Sequence, residues 1–111
     1  MWHEERETIL ETDASGWATG GCLSQFDENG ILHPVAYFSK KLSPTECNYD
    51  IHYKELLSII RCLQEWRGEL IGLQKQFCIL TDHKNLEYFM SSQKLVERQV
   101  RWAQTLSQFN F

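Results

Sequence analysis

Three carboxylates stand where a divalent cation would need them. Asp13 closes the β-type run Thr8-Ile9-Leu10-Glu11-Thr12 and leads into the turn residues Ala14-Ser15-Gly16. Asp82 closes the near-continuous apolar run Phe77-Cys78-Ile79-Leu80-Thr81 in the same way. Between them, Glu55 interrupts the apolar stripe of a helix: at 100° per residue, Ile51, Ile59, Cys62, Leu63, Trp66 and Leu70 all fall within about 80° of it. A lone charge buried on such a face is strongly unfavourable, so the natural use of Glu55 is to share a cation with other carboxylates. If the two strands are neighbours, the three acids converge, and a few carboxylates plus a substrate phosphate are how Mg²⁺ is held in phosphoryl chemistry. Each residue also has a plainer role when taken singly. An Asp at a strand end forms turns or caps helices, and Glu55 can reach solvent, Lys54 or Arg61.

The elements that must carry these residues are legible in outline. Residues 17–26 and 31–39 read as two strands of a hairpin around Asp27-Glu28-Asn29-Gly30, whose Asn-Gly supplies the positive φ of the turn. Pro34 cannot donate to a β-ladder, which places its strand at the edge of the sheet. Ser43-Pro44-Thr45-Glu46 combines an N-cap, a first-turn Pro and a capping-box Glu. Asp50 restarts or caps the main helix, predicted to run to about Gly72. A short helix is expected after Asp82, over residues 83–90. A last one is expected from about Leu95 to Gln108, with Leu95, Trp102, Leu106 and Phe109 on one face and Lys94, Arg98 and Arg101 along its border. Those three bases could track phosphates or form a solvated edge. His52, one turn before Glu55, is either a neighbour of the substrate or a packed or capping residue. His83 is equally open.

The runs ETDASGWATGGCLSQ, HPVAYFSKKLSPTECNYDIHYKELLSII, TDHKNLEYF and RQVRWAQTLSQFNF, in that order and spacing, resemble the ribonuclease H domain of Ty3/Gypsy-type LTR retrotransposon reverse transcriptases. The likeness covers nearly all of residues 8 to 111. It implies an α/β fold: a ribonuclease H-like mixed sheet, antiparallel in the hairpin and parallel between the Asp13 and Asp82 strands, with flanking helices. Asp13, Glu55 and Asp82 match the first three acids of the family's D-E-D-D metal-binding set. The fourth, together with a final strand and helix, has no counterpart before Phe111. The implied activity is Mg²⁺-dependent cleavage of the RNA strand of an RNA/DNA hybrid, with two ions in the intact family and Mn²⁺ as an alternative. The implied partners are the hybrid and the polymerase domain of a parent polyprotein.

Composition bounds the remainder. One domain, 1–111, with residues 1–7 as an N-terminal extension, is what 111 residues and 42% hydrophobic content support. The formal charge of −4 is unusual for a nucleic-acid binder, but it is concentrated in the first thirteen residues. There Glu4, Glu5, Glu7, Glu11 and Asp13 face Arg6 alone, and the rest of the chain is balanced. Cys22, Cys47, Cys62 and Cys78 lack zinc-ligand spacing and read as small buried hydrophobes in a reducing compartment. Neither a signal peptide nor a membrane span is indicated, so an intracellular protein is expected, cytoplasmic or nuclear or within retroelement particles. An apolar Asp82 strand left at a sheet edge would favour self-association. Two other classes are compatible with the sequence. One is a non-catalytic ribonuclease H-like module or degenerate retroelement remnant; the other is a transposase or integrase core, which uses different carboxylate spacing.

Overall fold

The sheet is built outward from β1 (Thr8–Ala14), which pairs antiparallel with β2 (Ala18–Phe26) on one side and parallel with β4 (Cys78–Leu80) on the other. The computed structural model describes residues 2–81, 97–109 and 111, with residues 97–100 by backbone alone. β3 (Leu32–Lys41) completes the order β3-β2-β1-β4, so the mixed sheet and the outer position of the Pro34 strand are as expected. Pro34 lies opposite Ser24, next to a shift of register between Leu23 and Ser24. This is how an edge strand accommodates a residue that cannot donate to the ladder. In the β2–β3 turn, only Gly30 takes a positive φ, +77°. Asp27 does the rest, its Oδ1 accepting the N–H groups of Asn29 and Ile31 at 2.8 and 2.9 Å. The turn therefore uses its glycine alone in the left-handed region, with a side chain in place of a second such residue.

Among the described residues, a long helix packs on the two central strands. α1 (Pro44–Cys47) starts with the expected capping box, Ser43 and Glu46 each bonding the other's backbone N–H. α2 (Ile51–Glu65) is capped by Asp50, whose Oδ1 accepts the His52 N–H at 2.7 Å, and it lies across β1 and β2. Leu56, Ile59, Cys62 and Leu63 meet Leu10 and Leu23, which stand opposite one another on the two central strands. Close approach depends on Gly21: a Cβ there would come within 2.4 Å of Cys62 Sγ and 3.0 Å of the Glu11 carbonyl.

The main helix departs from the sequence reading at Trp66. It breaks there (φ −108°, ψ 27°) and restarts as α3 (Arg67–Ile71). The indole of Trp66 sits edge-on to Phe38 of β3 at 6.2 Å, a tertiary contact that helical periodicity cannot report. α4 (Glu97–Leu106) packs on α2 through Trp102 and Tyr53, and Phe109 meets Phe77 just before β4. Of its predicted apolar face, Trp102, Leu106 and Phe109 are buried. Leu95 and the helix expected over 83–90 lie outside the described residues.

The expectation for the cysteines is corrected. Cys62 is fully buried, and burial pushes its thiol up to about 12, but Cys22 is half-buried and Cys47 and Cys78 are exposed. Cys78 belongs to a strand at the edge of the sheet and Cys47 to a four-residue helix with no buried residue, and among the described residues neither is covered. Residues 2–7 run along the end of the sheet. The buried Gln25 side chain accepts the His3 N–H and donates to the His3 carbonyl and Thr8 Oγ1. Among the described residues, no helix is long and apolar enough to cross a membrane.

Candidate active site

Asp13 lies at the end of the central strand with its side chain exposed, Oδ1 accepting the Ala14 N–H at 2.9 Å. Its strand is hydrogen-bonded to β4 in parallel, with Leu10 opposite Ile79 and Glu11 opposite Leu80. Asp13 is two residues beyond Glu11 in the chain, as Asp82 is two beyond Leu80. Asp82 itself is outside the described residues.

Glu55 is carried to the same corner by α2. Ser58, one turn further along that helix and fully buried, donates its hydroxyl proton between two backbone carbonyls: Asp13 at 2.7 Å and Gly20 at 2.9 Å. Lys54 reaches the next turn of chain, its Nζ 3.5 Å from the Gly16 carbonyl. The first two turns of α2 are thereby fixed across the β1–β2 corner, and Glu55 with them. The apolar stripe around Glu55 is shorter than its sequence suggests. Ile59, Cys62, Leu63, Trp66 and Leu70 are buried, but Ile51 is 50% exposed because the first turn of α2 overhangs the sheet end. Glu55 is therefore half-buried where the stripe surfaces, which spares its carboxylate full desolvation.

The donor set here is of hard oxygens. Asp13 and Glu55 suit Mg²⁺ or Mn²⁺ rather than a thiophilic metal. Among the described residues, no group of three His, Cys, Asp or Glu side chains could hold a metal, so a three-carboxylate site depends on Asp82. His52 is exposed in the first turn of α2, one turn from Glu55. Arg101 is exposed on α4, next to the Trp102 that packs on Tyr53. Lys94 lies outside the described residues, and of Arg98 only the backbone is described.

Sequence reasoning passed over Ser58. A polar residue inside Leu56-Leu57-Ser58-Ile59-Ile60 was the available signal, since a buried hydroxyl needs partners and here finds the backbone that bears Asp13. By spacing alone Arg61 is a possible partner of Glu55. Its Nη2 pairs instead with Glu46 at 2.6 Å and its Nη1 donates to Thr19 Oγ1 at 3.0 Å, tying α1 and α2 to β2.

A profile of the family described as the RNase H-like domain found in reverse transcriptase matches residues 3–109. The chain is 41% identical over 108 residues to the transposon Tf2-3 polyprotein of Schizosaccharomyces pombe (strain 972 / ATCC 24843), and equally so to its Tf2-4 polyprotein. Each match covers 96% of this chain and 8% of the polyprotein, so the chain spans under a tenth of the length of these relatives. Among solved structures, a foamy viral protease-reverse transcriptase in complex with an RNA/DNA hybrid superposes with a TM-score of 0.66 at 18% identity. That match covers 96% of this chain and 14% of the other. The native prototype foamy virus protease-reverse transcriptase gives 0.65 at 15% identity, over 95% and 14%. At such identities the likeness is one of fold.

Proposed function

Because this chain belongs to the family of RNase H-like domains found in reverse transcriptase, we propose that it cleaves the RNA strand of RNA/DNA hybrids with the help of divalent cations, as part of a retroelement polyprotein. The observation that carries the reading is the corner held by Ser58, where an exposed strand-end Asp13 and a half-buried Glu55 are fixed by the same two elements. Asp82, which follows the strand parallel to that of Asp13, is the third member of the set.

In this scheme Asp13, Glu55 and Asp82 hold Mg²⁺, with Mn²⁺ as a substitute. When bound, the two ions supply an activated water and stabilise the leaving oxygen at the scissile phosphate. Asp13, the more exposed of the two described acids, would offer its carboxylate to the cations. Glu55 and Asp82 would join it as the other oxygen ligands. The chain's own contribution is position: the sheet fixes Asp13, and Ser58 fixes the helix that bears Glu55 relative to it. His52, exposed one turn from Glu55, and Arg101, exposed on α4, are offered as contacts to the hybrid, with Lys94 and Arg98 proposed to add to them.

The test is cleavage of a hybrid labelled separately on each strand. The reading expects Mg²⁺-dependent cuts in the RNA strand, an intact DNA strand, and loss of cleavage in Asp13→Asn. A chain that binds hybrid but leaves both strands whole under Mg²⁺ and Mn²⁺ is a non-catalytic module of the same fold.

A further inference from the structure

The turn that follows Asp13 carries an indole that the core does not use. Trp17 is 71% exposed, whereas Trp66 and Trp102 are buried. A lone exposed aromatic side chain is ordinary. This one is neither loosely held nor alone. The Ser15 N–H donates to the Ala18 carbonyl at 2.8 Å, and the Ala18 N–H donates back to Ser15 Oγ at 3.1 Å. The Leu42 N–H, on a buried residue, donates to the Trp17 carbonyl at 2.7 Å. The indole therefore projects from a backbone fixed at three points. Lys54 of α2 places its ammonium on the Gly16 carbonyl, and Lys41 of β3, exposed, pairs across the ladder with Ala18. A flat apolar surface beside the Lys54 ammonium, with an exposed lysine opposite its neighbour Ala18 and a proposed metal-binding acid four residues away, is complementary to a polyanion that also offers flat rings and sugars.

We infer that Trp17, flanked by Lys41 and Lys54, is a docking platform for one strand of the RNA/DNA hybrid: the indole packs on a nucleotide and the lysines meet the phosphates on either side. This inference rests on the hybrid-cleaving reading above and gives that site a positioning surface outside the acids. It also accounts for how a chain with a formal charge of −4 engages nucleic acid, through a local cationic corner instead of a basic surface.

The experiment is equilibrium binding of a short fluorescent RNA/DNA hybrid to the full chain, in Ca²⁺ in place of Mg²⁺, over a range of salt. Trp17→Ala should weaken binding about tenfold while Trp17→Phe stays within about threefold of wild type. Lys41→Ala with Lys54→Ala should lower the slope of log affinity against log salt by about 0.9 per lysine. Because Trp17 is exposed, the melting temperature of Trp17→Ala should match wild type, which separates docking from folding. Equal hybrid affinity in wild type and Trp17→Ala overturns the platform, and so does a salt slope that ignores both lysines. If that happens while the wild type still cleaves RNA and Asp13→Asn does not, the platform alone falls. A wild-type chain that neither binds nor cleaves hybrid removes the platform and the function together.

Discussion

The two halves of α2 have been put to different uses. Beyond Ser58 the helix is core: Ile59, Cys62 and Leu63 lie within 1% of complete burial, Cys62 rests on Gly21, and Trp66 closes the stripe against Phe38. Before Leu56 it is surface: Ile51 and His52 are exposed, and Tyr53, Lys54 and Glu55 are half-buried. One half supplies stability, and the other holds polar groups over a strand end where they remain accessible. Ser58 is the joint, fully buried yet bonded to the backbone of the strand that carries Asp13. The comparison teaches that a site can be anchored by the core without being sealed in it.

Breaking the accessible half should cost activity and little stability. Asp13→Asn and Glu55→Gln are each expected to lower hybrid cleavage by about a thousandfold or more, the loss of several kcal/mol of transition-state stabilisation. Melting temperatures should stay near wild type, since Asp13 is exposed and Glu55 is only half-buried. Single-turnover cleavage beside thermal denaturation checks both statements. The buried half should behave in the opposite way. Gly21→Ala drives a methyl group into Cys62 Sγ and the Glu11 carbonyl, and overpacking of this kind costs about 1–3 kcal/mol, measurable by urea unfolding.

Ser58→Ala sharpens the comparison, because it touches both halves. It removes the donor shared by the Asp13 and Gly20 carbonyls and should cost about 1 kcal/mol of stability. It should also lower kcat more than it raises KM, because the helix bearing Glu55 loses its tie to Asp13. A stability loss with unchanged kcat would make Ser58 a packing residue only. The smallest effect concerns the Arg61–Glu46 pair behind the corner. Burial raises the affinity of the Glu46 carboxyl for its proton, but the Ser43 N–H and the Arg61 guanidinium outweigh it and hold the group below the ordinary glutamate range. A group depressed in the folded state contributes stability that is present above its unfolded value and lost as pH falls through the folded one. Wild type should therefore lose stability on acidification below about pH 4.5, the usual glutamate range, more steeply than Glu46→Gln does, by about 1 kcal/mol or less. Urea midpoints of the two chains at successive pH values check this.

Much of this arrangement could be read from residues that act locally. A strand ending in Asp before Ala14-Ser15-Gly16, the capping box at Ser43 and the edge position of Pro34 each follow from short-range chemistry, and the fold has them. What escaped depends on contacts between distant segments. The break at Trp66, whose indole packs on Phe38 of β3, falls in a stretch where the apolar period runs on to a buried Leu70. Exposure of Ile51 follows from how far α2 overhangs the strands, and that of Cys78 from its place on the sheet edge; neither is encoded in local pattern. In the candidate site, Asp13 and Glu55 were legible as types and spacings, while the bond that unites them, from Ser58, joins residues 45 apart in sequence.

The central claim is that Asp13, Glu55 and Asp82 bind cations as one group. Mn²⁺ binding, followed by the loss of the free-ion paramagnetic resonance signal on titration with protein, tests it without requiring turnover. The account predicts that wild type takes up Mn²⁺ and that Asp13→Asn, Glu55→Gln and Asp82→Asn each weaken uptake about tenfold or more, with Mg²⁺ competing for the same ion. Unchanged Mn²⁺ affinity in any one of the three variants would remove that residue from the group, and unchanged affinity in all three would contradict the account.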